Sequence, residues 1–284
     1  MGDLEPAGKR GPKRFAANMT KQTKTQQQNI TRDRLTTWGL IVGLLIVWEI
    51  LAKVKLISPI IFPAPTLIFS SFLKNLIIGK YNKNVVVTFS RIFSGFLLGG
   101  GAGMIIGLLM GWSRRMRRVL DPIVAALHPI PKFALLPMVL IMFGLGESSR
   151  IVMVSIAAFF PMLINTMAGV IQVNPTYYDV VENYGASRFD SFWKVALPGS
   201  LPLIITGARL SLRSALTITI GVEMVFGNNG LGSDLWLAWE TMRMTDMYST
   251  LIIVSVIGLG SNMLLEQLKK KLIPWHQEVR PEDD

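Results

Sequence analysis

Residues 94–112 read SGFLLGGGAGMIIGLLMGW. No charge interrupts the stretch, and it approaches the roughly 20 apolar residues that carry a helix across a bilayer. Its glycines are ordered: Gly95, Gly99, Gly103, Gly107 and Gly111 recur every four residues. That spacing lays small residues along one slowly drifting stripe, as in GxxxG helix contacts. The stretch predicts a membrane helix packed tightly against another. A phosphate-binding loop is excluded, because no Lys-Ser or Lys-Thr follows the glycines.

The rest of the chain repeats the apolar theme. Half of the 284 residues are hydrophobic and 17% are charged. Spans are predicted near 36–56, 88–112, 133–145, 150–171, 203–226 and 247–268. The expected fold is an all-α integral membrane protein with about six transmembrane helices. The third region is unusual, since Pro122, Pro129, Pro131 and Pro137 interrupt it. Proline removes a backbone donor and breaks or kinks a helix, so a short helical approach should precede the span at 133–145. The expected organisation is a disordered basic tail over 1–34, a membrane domain over 35–275 and a polar tail over 276–284.

Composition also closes off chemistry. Cysteine is absent, which removes thiolate ligands and cysteine nucleophiles. The two histidines, His128 and His276, are far apart and form no clustered metal-ligand pattern. No motif arranges Ser, His and Asp for nucleophilic catalysis. The net charge of +11 is explained by lysine and arginine in cytoplasmic loops, and no nucleic-acid motif accompanies it. With an N-terminus inside the cell, the cluster at 113–118 (SRRMRR), the 172–202 segment and the 269–271 lysines all fall in the cytoplasm. The basic tail reads as a poor signal peptide, because it is too long and no small-residue cleavage site follows the first apolar run.

The 172–202 segment carries more than a connection needs. Asn174 can cap a helix that starts at Pro175. Gly185 is placed to end it in a left-handed conformation. Ser187 and Asp190 have the spacing of a capping box. A second short helix is expected to end before Leu197-Pro198. The aromatic side chains of this knob require cover, by lipid headgroups or by a protein partner.

These residues resemble the EAA loop of permease subunits in ATP-binding-cassette importers, in which Glu-Ala-Ala, a glycine and a Leu-Pro pair stand at fixed spacing. The matching positions are Asp179, Val180, Val181, Gly185, Val195, Leu197 and Pro198, with Ala186 beside the glycine. The departures are Asp for Glu, Val-Val for Ala-Ala and Val for Ile. Much of residues 60–275, including FFPMLINTMAGV (159–170), is similar to the nitrate, sulfonate, taurine and bicarbonate branch of that family. The resemblance implies a type I importer fold and a coupling loop seated on a separate ATPase. It also implies a permease homodimer with two ATPase subunits, an extracytoplasmic solute-binding protein and a bacterial inner-membrane location. The chain itself has no GxxxxGK[ST] motif. No cofactor is expected on it; ATP belongs to the partner ATPase.

A path for solute is legible on the fifth span. Thr206, Arg209, Arg213 and Thr217 are spaced three, four and four residues apart, which is one helical face. Such a stripe favours an anion. Arg209 is also placed to snorkel to the interface. Glu223, near the far end of the span, is a path or gate residue that could instead pair with an arginine of another helix. The rival class is an ion-coupled secondary transporter using Glu223, which would need inverted repeats; none is evident. His128 and Lys132 read as interfacial. Trp236 and Trp239 read as interfacial anchors in an external loop, and residues 144–148 (GLGES) as a surface for the binding protein.

Overall fold

A computed structural model describes residues 35–226 and 228–274. The expected tails, 1–34 and 276–284, lie outside the described residues. All regular structure among the described residues is helical. The chain divides into two units, residues 1–67 and 68–284.

In the first unit, helix α1 covers Leu35–Lys53. Glu49 near its end accepts hydrogen bonds from the backbone N–H and hydroxyl of Thr66 at 3.1 and 2.8 Å, and pairs with Lys53 at 2.9 Å. Helix α2, Pro65–Ile77, begins at the end of this unit, with most of its residues in the second; it starts on a proline, which suits a first turn whose N–H groups have no helical acceptor.

Three of the four long helices of the second unit pack together at its centre. Helix α3 runs Asn82–Trp112, α6 runs Glu147–Ile171, and the helical run Arg188–Phe226 forms α8. Between them, α4 spans Arg114–Leu127 and α5 spans Lys132–Phe143. Helix α7, Pro175–Asn183, precedes α8; α9 is Leu231–Glu240 and α10 is Met244–Leu272.

The glycine stripe seats α3 on α6. A β-carbon at Gly99 would lie 1.9 Å from the Ser155 carbonyl oxygen. One at Gly103 would meet the Phe159 oxygen at 2.4 Å, and one at Gly107 the Leu163 oxygen at 2.6 Å. Gly95 and Gly111 face Val154 and Val170 at similar distances. The two backbones therefore approach as closely as hydrogen side chains permit. Helix α3 carries a π-turn at Phe96–Gly100, within this contact.

Helix α6 meets α8 on a neighbouring face, and Met162 touches both partners. Gly169 and Gly207 allow the approach, and the Ser211 hydroxyl donates to the Ala158 carbonyl at 2.7 Å. Apolar clusters fill the seam, with Ile92, Val154, Ala158 and Ala215 in one and Met162, Ile204, Ala208 and Leu265 in another. In lipid, where apolar surface gains little by meeting apolar surface, such close packing and buried hydrogen bonds carry the association.

Among the described residues, five helices are long and apolar enough to cross a membrane, and a bent pair raises the number to six if it is one span. That pair corrects the third predicted span. Helices α4 and α5 meet at 88°, and α5 is α-helical only over Leu136–Phe143. Eight residues rise about 12 Å, short of the roughly 30 Å hydrocarbon core. Pro129 and Pro131 lie in the bend, whereas Pro137 sits in the first turn of the α-helical part and starts it. A second correction concerns 188–198. The short helix there does not end before Leu197-Pro198. It continues through a π-turn, Phe192–Ala196, into the fifth span. A wider turn immediately before Pro198 accommodates a residue that cannot donate to its preceding turn.

Replacing Gly99 with alanine should force α3 and α6 apart, an overpacking cost of about 1–3 kcal/mol. Gly101→Ala is the control, because nothing lies within 4 Å of its β-carbon position. Thermal unfolding in detergent should show a lower midpoint for Gly99→Ala and an unchanged or higher one for Gly101→Ala.

Candidate functional site

The hairpin between α6 and the body of α8 is held by local bonds. Asn174 Oδ1 accepts from the Thr176 N–H at 2.9 Å, and Pro175 opens α7. Gly185 has φ +77°, the left-handed conformation that ends the helix without a β-carbon clash. The Gly185 and Ala186 N–H groups return to the Glu182 and Val181 carbonyls. The Ser187 hydroxyl accepts from the Asp190 N–H at 3.1 Å while Asp190 accepts from the Ser187 N–H at 3.3 Å, completing the capping box. Lys194 adds an ion pair to Asp190 at 2.7 Å.

The same local code leaves one face bare. Tyr177, Tyr184, Phe189 and Trp193 are exposed, Tyr184 at 89%. Asp179 and Val180 are exposed beside them, and Val181 is half-buried. The opposite face is anchored: the Trp112 ring meets Phe192 edge-on at 5.4 Å and Tyr178 at 6.1 Å. Burial there pushes the Tyr178 hydroxyl above its ordinary pKa. Val195 is buried, and Leu197 and Pro198 are half-buried at the join with the span. All eight sequence-selected hairpin residues thus lie along the α7–α8 hairpin, on α7, its Gly185 turn and the start of α8.

Of the sequence-selected path residues, Thr206, Arg213 and Thr217 are exposed on one face of α8. Arg209 is half-buried and pairs with Glu266 of α10 at 2.5 Å. Arg213 has no ion pair among the described residues. It lines a cavity of about 340 Å³ with Ile92, Leu216, Ser255, Gly258 and Asn262.

Glu223 departs from that stripe. It is 1% exposed and lies in a closed network. Arg91 Nη1 donates to it at 2.8 Å, the Thr88 hydroxyl contacts both carboxylate oxygens at 2.9 Å, and the Gly232 N–H donates at 2.9 Å. Arg91, 2% exposed, also grips Glu147 through Nε at 2.8 Å and Nη2 at 2.5 Å. Arg150 donates to Glu147 at 2.5 Å and to Asn229 at 3.1 Å, and its guanidinium lies 4.7 Å from the Phe226 ring centre. Asn229 receives Arg91 as well. Helix α9 is pressed onto this network: β-carbons at Gly230 and Gly232 would fall 2.2 Å from the Glu223 carboxyl and the Ile220 oxygen. One turn away, burial pushes the Asp234 carboxyl up from its ordinary value, against the hydrogen bond it accepts from Asn84 at 2.7 Å. Glu223 is therefore charge-matched and fully bonded, and does not line an open path.

The inner-membrane component of binding-protein-dependent transport systems matches residues 99–275, more than half of the chain. The chain belongs to this permease family. The taurine transport system permease protein TauC of Escherichia coli K12 is 30% identical over 256 residues, covering 88% of this chain and 93% of that protein. The nitrate import permease protein NrtB of Leptolyngbya laminosa is 30% identical over 194 residues, 68% of this chain and 70% of that protein. An inward-facing structure of the MetNI methionine ABC transporter shares the fold, with a TM-score of 0.57, 18% identity, and coverage of 66% of this chain and 94% of that one. The permease is a transport subunit of the inner membrane with the type I importer fold, and an ion-coupled secondary transporter is not favoured.

The sequence pointed to Glu223 but not to Arg91, Glu147, Arg150 or Asn229. A signal existed. Arg91 lies inside an apolar span, and intramembrane charges are rare and usually paired. The partner could not be read, because Glu223 is 132 residues away.

Breaking this pair should be worse than removing it. Glu223→Leu or Arg91→Met alone leaves an uncompensated buried charge, costing about 3–5 kcal/mol. The double variant should recover much of that loss. Thermal unfolding of the four forms in detergent measures the non-additivity.

Proposed function

We propose that this permease carries a small anionic solute inward along α8 and is driven by a separate ATPase gripping the α7–α8 hairpin. The observation that carries the reading is the hairpin itself. A rigid capped knob, turned at Gly185, presents Tyr177, Asp179, Tyr184, Phe189 and Trp193 to a partner and is fixed to the fifth span through Val195, Leu197 and Pro198. Nothing in the chain can bind ATP through a Walker-type loop, so the energy source lies on another subunit. The hairpin and the arginine-rich 113–118 segment then face the cytoplasm, with the N-terminus on the same side. Two copies of the chain form the path between them, served by two ATPase subunits and an extracytoplasmic binding protein that meets the 144–148 region.

The solute class follows from charge. Arg213, exposed at membrane depth beside Thr206 and Thr217, is a cation without an acidic partner among the described residues. Taurine and nitrate, named for the relatives, are the first solutes to test, with sulfonates and bicarbonate.

Two variants separate coupling from conduction. Gly185→Val creates no clash, since nothing lies within 4 Å, but forces a β-branched residue into a left-handed conformation at about 1–2 kcal/mol or more. It should reach the membrane normally and lose ATPase co-purification or ATP-driven uptake. Wild-type coupling would return the knob to the lipid surface. Arg213→Glu should keep ATPase association and abolish uptake of the true solute in reconstituted vesicles; intact uptake would remove Arg213 from the path.

A further inference from the structure

Where α3 ends and α4 begins, the backbone turns at Ser113, whose hydroxyl accepts from the Met116 N–H at 3.3 Å. Arg114, Arg115, Arg117 and Arg118 follow within one and a half turns of helix. None forms an ion pair among the described residues. The four differ in what they face. Arg114 and Arg117, three residues apart and so on one helical face, line a cavity of about 370 Å³; Arg115 and Arg118 do not. The remaining wall is apolar and aromatic, formed by Trp112, Val170, Ile171, Val173, Pro175 and Tyr178. The volume falls within the roughly 300–1,000 Å³ of small-ligand pockets.

We infer that this cavity holds the headgroup of an anionic phospholipid. Two guanidinium groups without acidic partners suit a phosphodiester, which they can bind with charge-assisted, bidentate hydrogen bonds. Paired basic groups facing solvent alone would suit any anion. Here they share the cavity with apolar residues at the ends of two membrane helices, α3 and α6, where a headgroup joins its acyl chains. Helix α4 continues the same chemistry: Met116, Val119, Ile123 and Leu127 are exposed, giving a basic start and an apolar flank, as in helices that lie at the headgroup boundary. The site differs from a general electrostatic attraction because only two of the four arginines face the cavity. Pro175 and Tyr178 belong to α7, so an occupied site bridges the α3–α4 corner to the coupling hairpin. This inference is independent of the transported solute.

The test uses the permease purified with its ATPase subunits, stripped in detergent and exposed to mixed phosphatidylcholine and phosphatidylglycerol. Native mass spectrometry should show phosphatidylglycerol retained selectively, up to one per permease chain. Arg114→Gln/Arg117→Gln should weaken retention about tenfold or more, the effect of losing one hydrogen bond to a charged group. Arg114→Lys/Arg117→Lys should fall between the wild type and the glutamine pair, because the charge stays while the bidentate fork is lost, and Arg115→Gln/Arg118→Gln should match the wild type. Equal loss in both glutamine pairs would overturn the site in favour of diffuse surface charge. Retention of inorganic phosphate with no lipid preference would overturn the lipid as occupant, and no retained lipid with the ATPase present would show that a protein surface covers the cavity. A measurement free of charge variants stands beside these. Brominated phosphatidylglycerol should quench wild-type tryptophan fluorescence more than that of Trp112→Phe, and equal quenching would also overturn the site.

Discussion

The close approach of α3 and α6 sets the scale for the rest of the structure. Side chains are absent from one surface of α3 at every fourth residue, and the backbone carbonyls of α6 occupy the vacated space. Lipid tails compete well for apolar side chains, so hydrophobic burial alone would not hold these helices together. Backbone proximity does what burial cannot: it maximises dispersion contact and fixes the register of the two helices. That register places Arg91 of α3 opposite Glu147 at the start of α6, and leaves the adjacent face of α6 free to receive α8.

Polar groups then finish the two ends differently. At one end the charges are internal and mutually satisfied: Arg91, Glu223, Glu147 and Arg150 form a single network with Thr88, Asn229 and the Gly232 N–H. At the other end the charges and aromatics are turned outward, in the α7–α8 hairpin and the α3–α4 corner. The first arrangement restrains the chain. The second offers it to other molecules. A charged residue in a span is thus not one kind of signal; Glu223 and Arg213 lie on the same helix, one enclosed by three donors and the other facing an open cavity.

What the sequence disclosed was local. The glycine period of four, the Asn174 cap, the left-handed Gly185 and the Ser187–Asp190 box depend on residues within one or two turns, and each is present as read. Of the long-range pairing only the kind was legible: Glu223 does pair with an arginine of another helix, but nothing in the sequence singled out Arg91. The ends of helices were also set by context. Pro198 looked like a terminator, yet a π-turn carries the helix through it. Pro129 and Pro131 did break the chain, but into two pieces at 88° rather than an approach and a span. Proline states that a hydrogen bond is missing; neighbouring helices decide whether the chain turns or continues.

Continuity through Pro198 has a mechanical consequence. From Arg188 to Phe226 the chain is one helical run of 39 residues, about 58 Å at 1.5 Å per residue. Its first turns belong to the knob, and its last turns are pinned by the Glu223 carboxylate. Such a rod acts as a lever with a fixed end: a push on Phe189 or Trp193 has no loop in which to dissipate. The π-turn at Phe192–Ala196 is the one wider coil between handle and shaft, so it is where the lever can flex without breaking.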